Sequence, residues 1–200
     1  MESSSPHIAI LASGTGSNAL KIISHFNHKK IKVNFSILSN RKEAPVLEKA
    51  KELGIPYMSF NKQTFIEENV VLDYLKERNI KLIVLAGFLW LLPKKYVDTF
   101  PKKIINIHPS LLPKYGGKGM YGIKVHEAVV RAKDNISGIT IHYVDEAYDH
   151  GQHILQKTCV IHPKDSPEVV AKKVQILEHK YFPQVVESLF LRESHNQTET

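Results

Sequence analysis

IINIHPSLLPKY, residues 104–115, begins as a short apolar run and then passes through two prolines. Residues two apart on a strand share a face, so Asn106 and His108 project together while Ile105 and Ile107 point the other way. Pro109 has no N–H and biases His108 toward extended backbone. The stretch reads as a buried strand that stops at His108 and presents an amide donor beside an imidazole. A strand that merely tolerates two polar groups fits these twelve residues equally well, so the rest of the chain has to decide.

Working outward, the run 82–86 is the most apolar strand and ends at Gly87. The run 7–11 leads into SGTGSN at 13–18 and then a helical pattern through Ile22, Ile23 and Phe26. Residues 31–38 alternate as a strand, 44–53 read as a helix stopped by Gly54, and 56–60 are a short strand. Asn61 is placed to cap a helix running to about Arg78, and Pro93 starts another that ends near Phe100. Downstream, glycines at 116, 117, 119 and 122 make a turning loop before a helix at 123–132. Strands are expected at 137–144 and 153–161, then a long helix from Pro167 in which Pro183 should cause a kink. Strands alternating with helices predict an α/β fold: one domain with a Rossmann-like, mostly parallel, twisted sheet and helices on both faces. The domain is expected over 7–191, with an N-terminal tail at 1–6 and a polar, disordered tail at 192–200.

Two hundred residues with 42% hydrophobic side chains can bury a single core. No apolar run reaches the roughly 20 residues of a membrane span, and the first residues lack the pattern of a signal peptide. Cys159 is the one cysteine, which excludes an internal disulfide and a cysteine metal cluster and suits the cytoplasm. A net charge of +7 fits an acidic small molecule; the lysines are scattered, not gathered with aromatics as nucleic-acid binding prefers.

Three groups of residues bear on chemistry. SGTGSN sits where a strand meets a helix N-terminus, and glycines there let the backbone approach an anion. The spacing is neither that of a dinucleotide fingerprint nor that of a P-loop, so a monophosphate suits it better; an ordinary strand-to-helix turn is the alternative. Asn106 and His108 form the second group with Asp149, whose carboxylate would favour the protonated ring and complete a site for a developing oxyanion. Asp149 reads equally as a turn former before Gly151. The histidines make no metal-ligand spacing, so no metal is expected, and His142 reads as a satisfied or site-lining residue. The third group is LAGFLWLLP at 85–93, which by default is core, yet lies at a strand end where an aromatic ligand would fit.

Together these residues resemble the phosphoribosylglycinamide formyltransferases, the glycinamide ribonucleotide transformylases of purine synthesis. The resemblance rests on SGTGSN at 13–18, LAGF at 85–88, NIHPSLLPKY at 106–115, GITIH at 138–142, YDHG at 148–151 and EH at 178–179. It implies the formyltransferase fold and transfer of a formyl group from 10-formyltetrahydrofolate, the co-substrate, to the amine of phosphoribosylglycinamide, with no metal. It implies that Asn106, His108 and Asp149 are catalytic and that Thr15, Gly16, Ser17 and Asn18 hold the substrate phosphate. Gln175, Ile176, Leu177 and Glu178 would contact the rest of that substrate. Phe88, Leu89, Trp90, Leu91 and Leu92, with Asp145, Glu146, Ala147 and Tyr148, would line the folate pocket. The family's Leu-Pro bond at 112–113 is commonly cis. The partners are then small molecules, not nucleic acid or membrane, and the chain a monomer or homodimer. The rival readings are another formyltetrahydrofolate enzyme, such as a hydrolase or tRNA formyltransferase, and a non-catalytic nucleotide-binding module.

Overall fold

A computed structural model describes residues 5–195. Seven strands form one sheet in the order β3-β2-β1-β4-β5-β6-β7. They are β1 (His7–Leu11), β2 (Asn34–Ser39), β3 (Tyr57–Ser59), β4 (Ile80–Leu85), β5 (Ile104–His108), β6 (Ile136–Tyr143) and β7 (His153–Val160). The first five run parallel, so the carboxyl ends of β1, β4 and β5 lie along one edge of the sheet. β6 and β7 are antiparallel and extend the sheet beyond β5. The mostly parallel sheet expected from the alternation of elements is the one observed.

Strand alternation sorts the apolar residues onto two faces. Ile8 and Ile10 of β1, Leu82 and Val84 of β4, and Ile105 and Ile107 of β5 share one core. That face is covered by α1 (Ser17–His28), α2 (Pro45–Glu52), α5 (Ile123–Arg131) and α6 (Pro167–His195). Ala9, Leu11, Ile83, Leu85 and Ile104 belong to the opposite core, under α3 (Val70–Lys76) and α4 (Lys94–Thr99). Phe60, Phe65, Phe88, Trp90 and Tyr96 cluster on this second side, with Phe65 stacked on Phe60 at 4.9 Å and on Tyr96 at 4.7 Å between ring centroids. Asn106 and His108 share the face of Ile104, opposite Ile105 and Ile107, as the period of two requires.

Two expectations need correction. The helix expected from Asn61 to Arg78 is broken. Asn61 does cap, its Oδ1 accepting from the Thr64 N–H at 2.9 Å, but the chain then winds as a π-helical turn, Gln63–Glu67. Glu68 is extended, and α3 starts afresh at Val70. Seating Phe65 in the aromatic cluster accounts for the break, and the Lys95 ammonium donates to the freed carbonyls of Ile66 and Glu68 at 2.9 and 3.0 Å. The second correction is at the C-terminus. α6 runs without interruption through Pro183 to His195, so residues 192–195 of the expected tail are helical. Phe190 is buried just before them and anchors that last turn. The remaining tail residues, 196–200, and residues 1–4 lie outside the described part.

Buried imidazoles make the fold sensitive to acid. His7 is buried with its ring nitrogen 3.0 Å from the Ser36 hydroxyl. Burial, then the charge of Arg78, lowers its pKa from 6.5 to about 4. His126 is likewise lowered to about 4 by burial and by His108. Between those values the unfolded chain binds protons that the fold refuses, so stability should fall as pH drops from 6.5 toward 4. His7→Gln keeps a partner for Ser36 and cannot titrate. Its Tm should fall less steeply than wild type across that window, and an equal slope in both proteins would exclude His7 as a source.

Candidate active site

The loop after β1 is shaped for an anion. Gly16 caps α1 in the left-handed conformation, φ +72°, leaving the first N–H groups of the helix free of helical partners. The Lys49 ammonium donates to the Thr15 carbonyl at 3.1 Å and brings a positive charge to the loop. Ser13 stitches this loop to its neighbours: its hydroxyl donates to Asn40 at 2.7 Å and accepts the Leu89 N–H at 3.1 Å. Gly16 has a second duty, since a Cβ there would lie 2.1 Å from Val46 Cγ2, so α2 packs directly on it. Asn18 donates to Glu178 Oε2 of α6 at 2.9 Å, while its Oδ1 is buried with no protein partner.

At the end of β5, Asn106, His108 and Asp149 come together. His108 is buried, and its Nε2 lies 2.7 Å from the Tyr115 carbonyl oxygen. A carbonyl only accepts, so Nε2 carries a proton. The other ring nitrogen, Nδ1, lies 3.3 Å from Asp149 Oδ2, so only the doubly protonated ring satisfies both neighbours. Asp149 Oδ2 also accepts the Gly117 N–H at 2.9 Å, and Oδ1 accepts from Asn106 Nδ2 at 3.3 Å. Burial acts to raise the Asp149 carboxyl, but His108 and the Gly117 N–H outweigh it and hold the group well below the usual carboxylate range.

His142 completes the group. It is paired with Asn106 across the β5–β6 ladder. Its Nδ1 lies 2.8 Å from the Tyr143 carbonyl and so bears the proton. Its Nε2 is then an acceptor, 3.1 Å from Asn106 Nδ2, which orients that amide with its N–H groups inward. The loop beyond His108 is held from below: Thr140 donates to the Ser110 carbonyl at 2.7 Å and accepts the Leu112 N–H at 2.9 Å. The Leu112–Pro113 peptide is cis.

One cavity of about 760 Å³ joins these groups. It is lined by Thr15, Gly16, Ser17 and Asn18, by Asn106, His108 and Asp149, and by all five residues Phe88, Leu89, Trp90, Leu91 and Leu92. Ala147, Tyr148, Gln175 and Glu178 line it as well. Four candidates lie elsewhere. Ile176 is 66% exposed and Leu177 packs against the core, because positions between Gln175 and Glu178 rotate off the inward helix face. Asp145 bonds locally, accepting the Ala147 N–H at 2.9 Å with His150 at 3.0 Å, and so shapes the turn that carries Asp149. Glu146 pairs with Lys94 at 3.1 Å at the surface. Residues not anticipated for the site are His126, Lys118 and Tyr121, which line the same cavity. Burial pushes the Glu178 carboxyl up, against the opposing Asn18 amide and His108. Among the described residues, no three His, Cys, Asp or Glu side chains are grouped to hold a metal ion.

Gly14 offers a clean test of the loop, because a Cβ there meets nothing within 4 Å. Gly14→Val should raise KM for a phosphorylated substrate about tenfold or more by filling the cavity, with Tm nearly unchanged. Unaltered affinity for that substrate would remove the loop from the binding site.

The chain matches the model of the family described as formyl transferase over residues 6–186. It is 39% identical over 185 residues to "Phosphoribosylglycinamide formyltransferase, chloroplastic" of Arabidopsis thaliana, covering 90% of this chain and 63% of that protein. It is 36% identical over 184 residues to phosphoribosylglycinamide formyltransferase of Haemophilus influenzae, covering 90% of this chain and 84% of that one. The chain thus spans less than two thirds of the plant relative and most of the bacterial one. The crystal structure of phosphoribosylglycinamide formyltransferase from Anaplasma phagocytophilum superimposes with a TM-score of 0.83 at 32% identity, covering 93% of this chain and 87% of that one.

Proposed function

This chain belongs to the formyl transferase family, and from that premise we propose that it transfers a formyl group from 10-formyltetrahydrofolate to the amine of phosphoribosylglycinamide in purine synthesis. The observation that carries the reading is the single cavity lined by an anion-shaped loop, an apolar segment at 88–92 and the Asn106–His108–Asp149 group.

In this reading the phosphate lies on the backbone of Thr15, Gly16, Ser17 and Asn18. Gln175 and Glu178 meet the remainder of that substrate, and the pteridine lies against the 88–92 segment with Ala147 and Tyr148. The glycinamide amine attacks the formyl carbon. A C–N bond forms, the carbonyl π electrons move to oxygen, and the Asn106 amide with the His108 imidazolium stabilises that oxyanion. Collapse breaks the bond to the folate nitrogen, which takes up a proton as the attacking amine loses one. Asp149 keeps the imidazolium in place and assists the proton movement through water. Holding both reactants in one crevice supplies further rate. The reading takes the cytoplasm as the compartment, on the strength of the lone Cys159, and treats the partners as small molecules acting on a monomer or homodimer.

The test is loss of the formyl group from 10-formyltetrahydrofolate, followed with and without phosphoribosylglycinamide. Loss only with the amine is expected. Loss to water without it would indicate a hydrolase, and no loss in either mixture would favour a binding module. Trp90 is the only tryptophan in the chain, lines the cavity and lies 5.9 Å from Phe65 between ring centroids. Folate analogues should therefore quench its fluorescence; an unchanged emission at saturation would move the pteridine away from 88–92.

A further inference from the structure

The backbone at 115–117 touches both members of the central ion pair. The Tyr115 carbonyl meets His108 Nε2 at 2.7 Å, and the Gly117 N–H donates to Asp149 Oδ2 at 2.9 Å. Gly116, between them, is packed so closely that a Cβ would lie 2.5 Å from Leu112 Cδ2 and 3.3 Å from Asp149 Cβ. Tyr115 itself has φ +58°, a conformation that L side chains rarely adopt. Such a residue persists only where its surroundings over-determine it.

The surroundings that do so lie away from the cavity. The Tyr115 hydroxyl donates to Asp134 Oδ2 at 2.8 Å. Lys114 donates to both oxygens of the same carboxylate, each at 2.7 Å, and Ser110 donates to the Lys114 carbonyl at 2.7 Å. Asp134 sits in the turn between α5 and β6, where its own N–H donates to the Val129 carbonyl at 3.3 Å. Neither Tyr115 nor Asp134 lines the cavity.

We propose that Asp134 and the Tyr115 hydroxyl are positioning residues: they clamp the left-handed Tyr115 so that its carbonyl fixes the His108 ring and the following amide fixes Asp149. Geometry gives the reason. The Tyr115 carbonyl is the acceptor that places a proton on Nε2 and thereby aims Nδ1 at Asp149. If the clamp is released, Tyr115 can relax toward negative φ, which swings its carbonyl off the ring. The catalytic part of the inference rests on the formyl-transfer reading; the structural part does not.

The experiment uses the full chain with Tyr115→Phe, Asp134→Ala and Asp134→Asn. The His108 Nε2–H proton, buried and hydrogen-bonded, should give a slowly exchanging downfield NMR resonance in wild type, assigned by its absence in His108→Ala. Tyr115→Phe and Asp134→Ala should each lose that resonance and lower kcat about tenfold to a hundredfold, with both KM values within about twofold. Asp134→Asn, which retains an acceptor for the phenol, should recover most of both. Combining Tyr115→Phe with Asp134→Ala should cost no more than Asp134→Ala alone, since the phenol bond is already lost when the carboxylate is removed, together with the two bonds from Lys114. Retention of the resonance, or an unchanged kcat, in a folded variant overturns the inference. Should Tyr115→Phe fail to fold, Asp134→Ala at its partly exposed position carries the same test. The resonance is read without substrate, so a wild type inactive in formyl transfer removes the functional reading while the clamp is still decided.

Discussion

Asp149→Asn should lower kcat by about 10²–10³ with little change in either KM, the loss typical of one oxyanion-stabilising group. The substitution removes the charge at nearly constant shape, and with it the oxygen that accepts from Asn106 Nδ2 at 3.3 Å. Asp149 has φ +55°, which asparagine tolerates better than alanine, and an amide oxygen can still accept the Gly117 N–H. What disappears is the negative partner 3.3 Å from His108 Nδ1. Without it the ring keeps its Nε2 proton on Tyr115 but has no counter-charge for a second one, so the cation that would face the oxyanion is lost. His108→Ala removes the same cation and should cost a similar factor. Because both changes delete one function, the double variant should lose far less than the product of the two single losses. Fully multiplicative losses would mean that Asp149 acts apart from His108, for instance only by shaping its loop.

The parts of this molecule that were legible beforehand are those encoded by local period. Alternation on β5 separates Asn106 and His108 from Ile105 and Ile107, and the apolar runs of β1 and β4 are followed within three residues by Gly14 and Gly87, which line the cavity. What was not legible depends on chain segments far apart. His142 faces Asn106 only because β6 pairs antiparallel with β5 after an intervening helix, a register that 36 residues of separation conceal. The Tyr115 carbonyl and the Gly117 N–H are backbone groups, which every residue carries and no motif distinguishes. The break after Phe65 follows from aromatic packing against Phe60 and Tyr96, contacts outside the helical pattern. By contrast, the correction at 175–178 lay within reach of periodicity. Positions three apart share a helix face, so Gln175 and Glu178 line the cavity together while Ile176 turns to solvent.

Asn106 is the residue for which a change of one heavy atom should do the most damage. Its amide nitrogen donates to His142 Nε2 at 3.1 Å and to Asp149 Oδ1 at 3.3 Å. The second of these bonds is long, and its N–H is the one an oxyanion in the cavity can recruit. Asn106→Ala should therefore lower kcat about 10²–10³-fold. Asn106→Asp should lower it further, because it replaces a donor with a second carboxylate beside Asp149, where the like charge repels both Asp149 and the developing oxyanion. His142→Phe should cost less, about tenfold, since it deletes the acceptor that orients the amide and leaves the amide itself present. The expected order of kcat is wild type, His142→Phe, Asn106→Ala, Asn106→Asp, measured with both substrates saturating and with Tm confirming a folded chain. An Asn106→Asp variant as active as wild type would show that no N–H at this position meets negative charge in the transition state. The developing charge would then have to lie on the His108 side alone, and the Asn106–His142 pair would serve the β5–β6 ladder rather than the reaction.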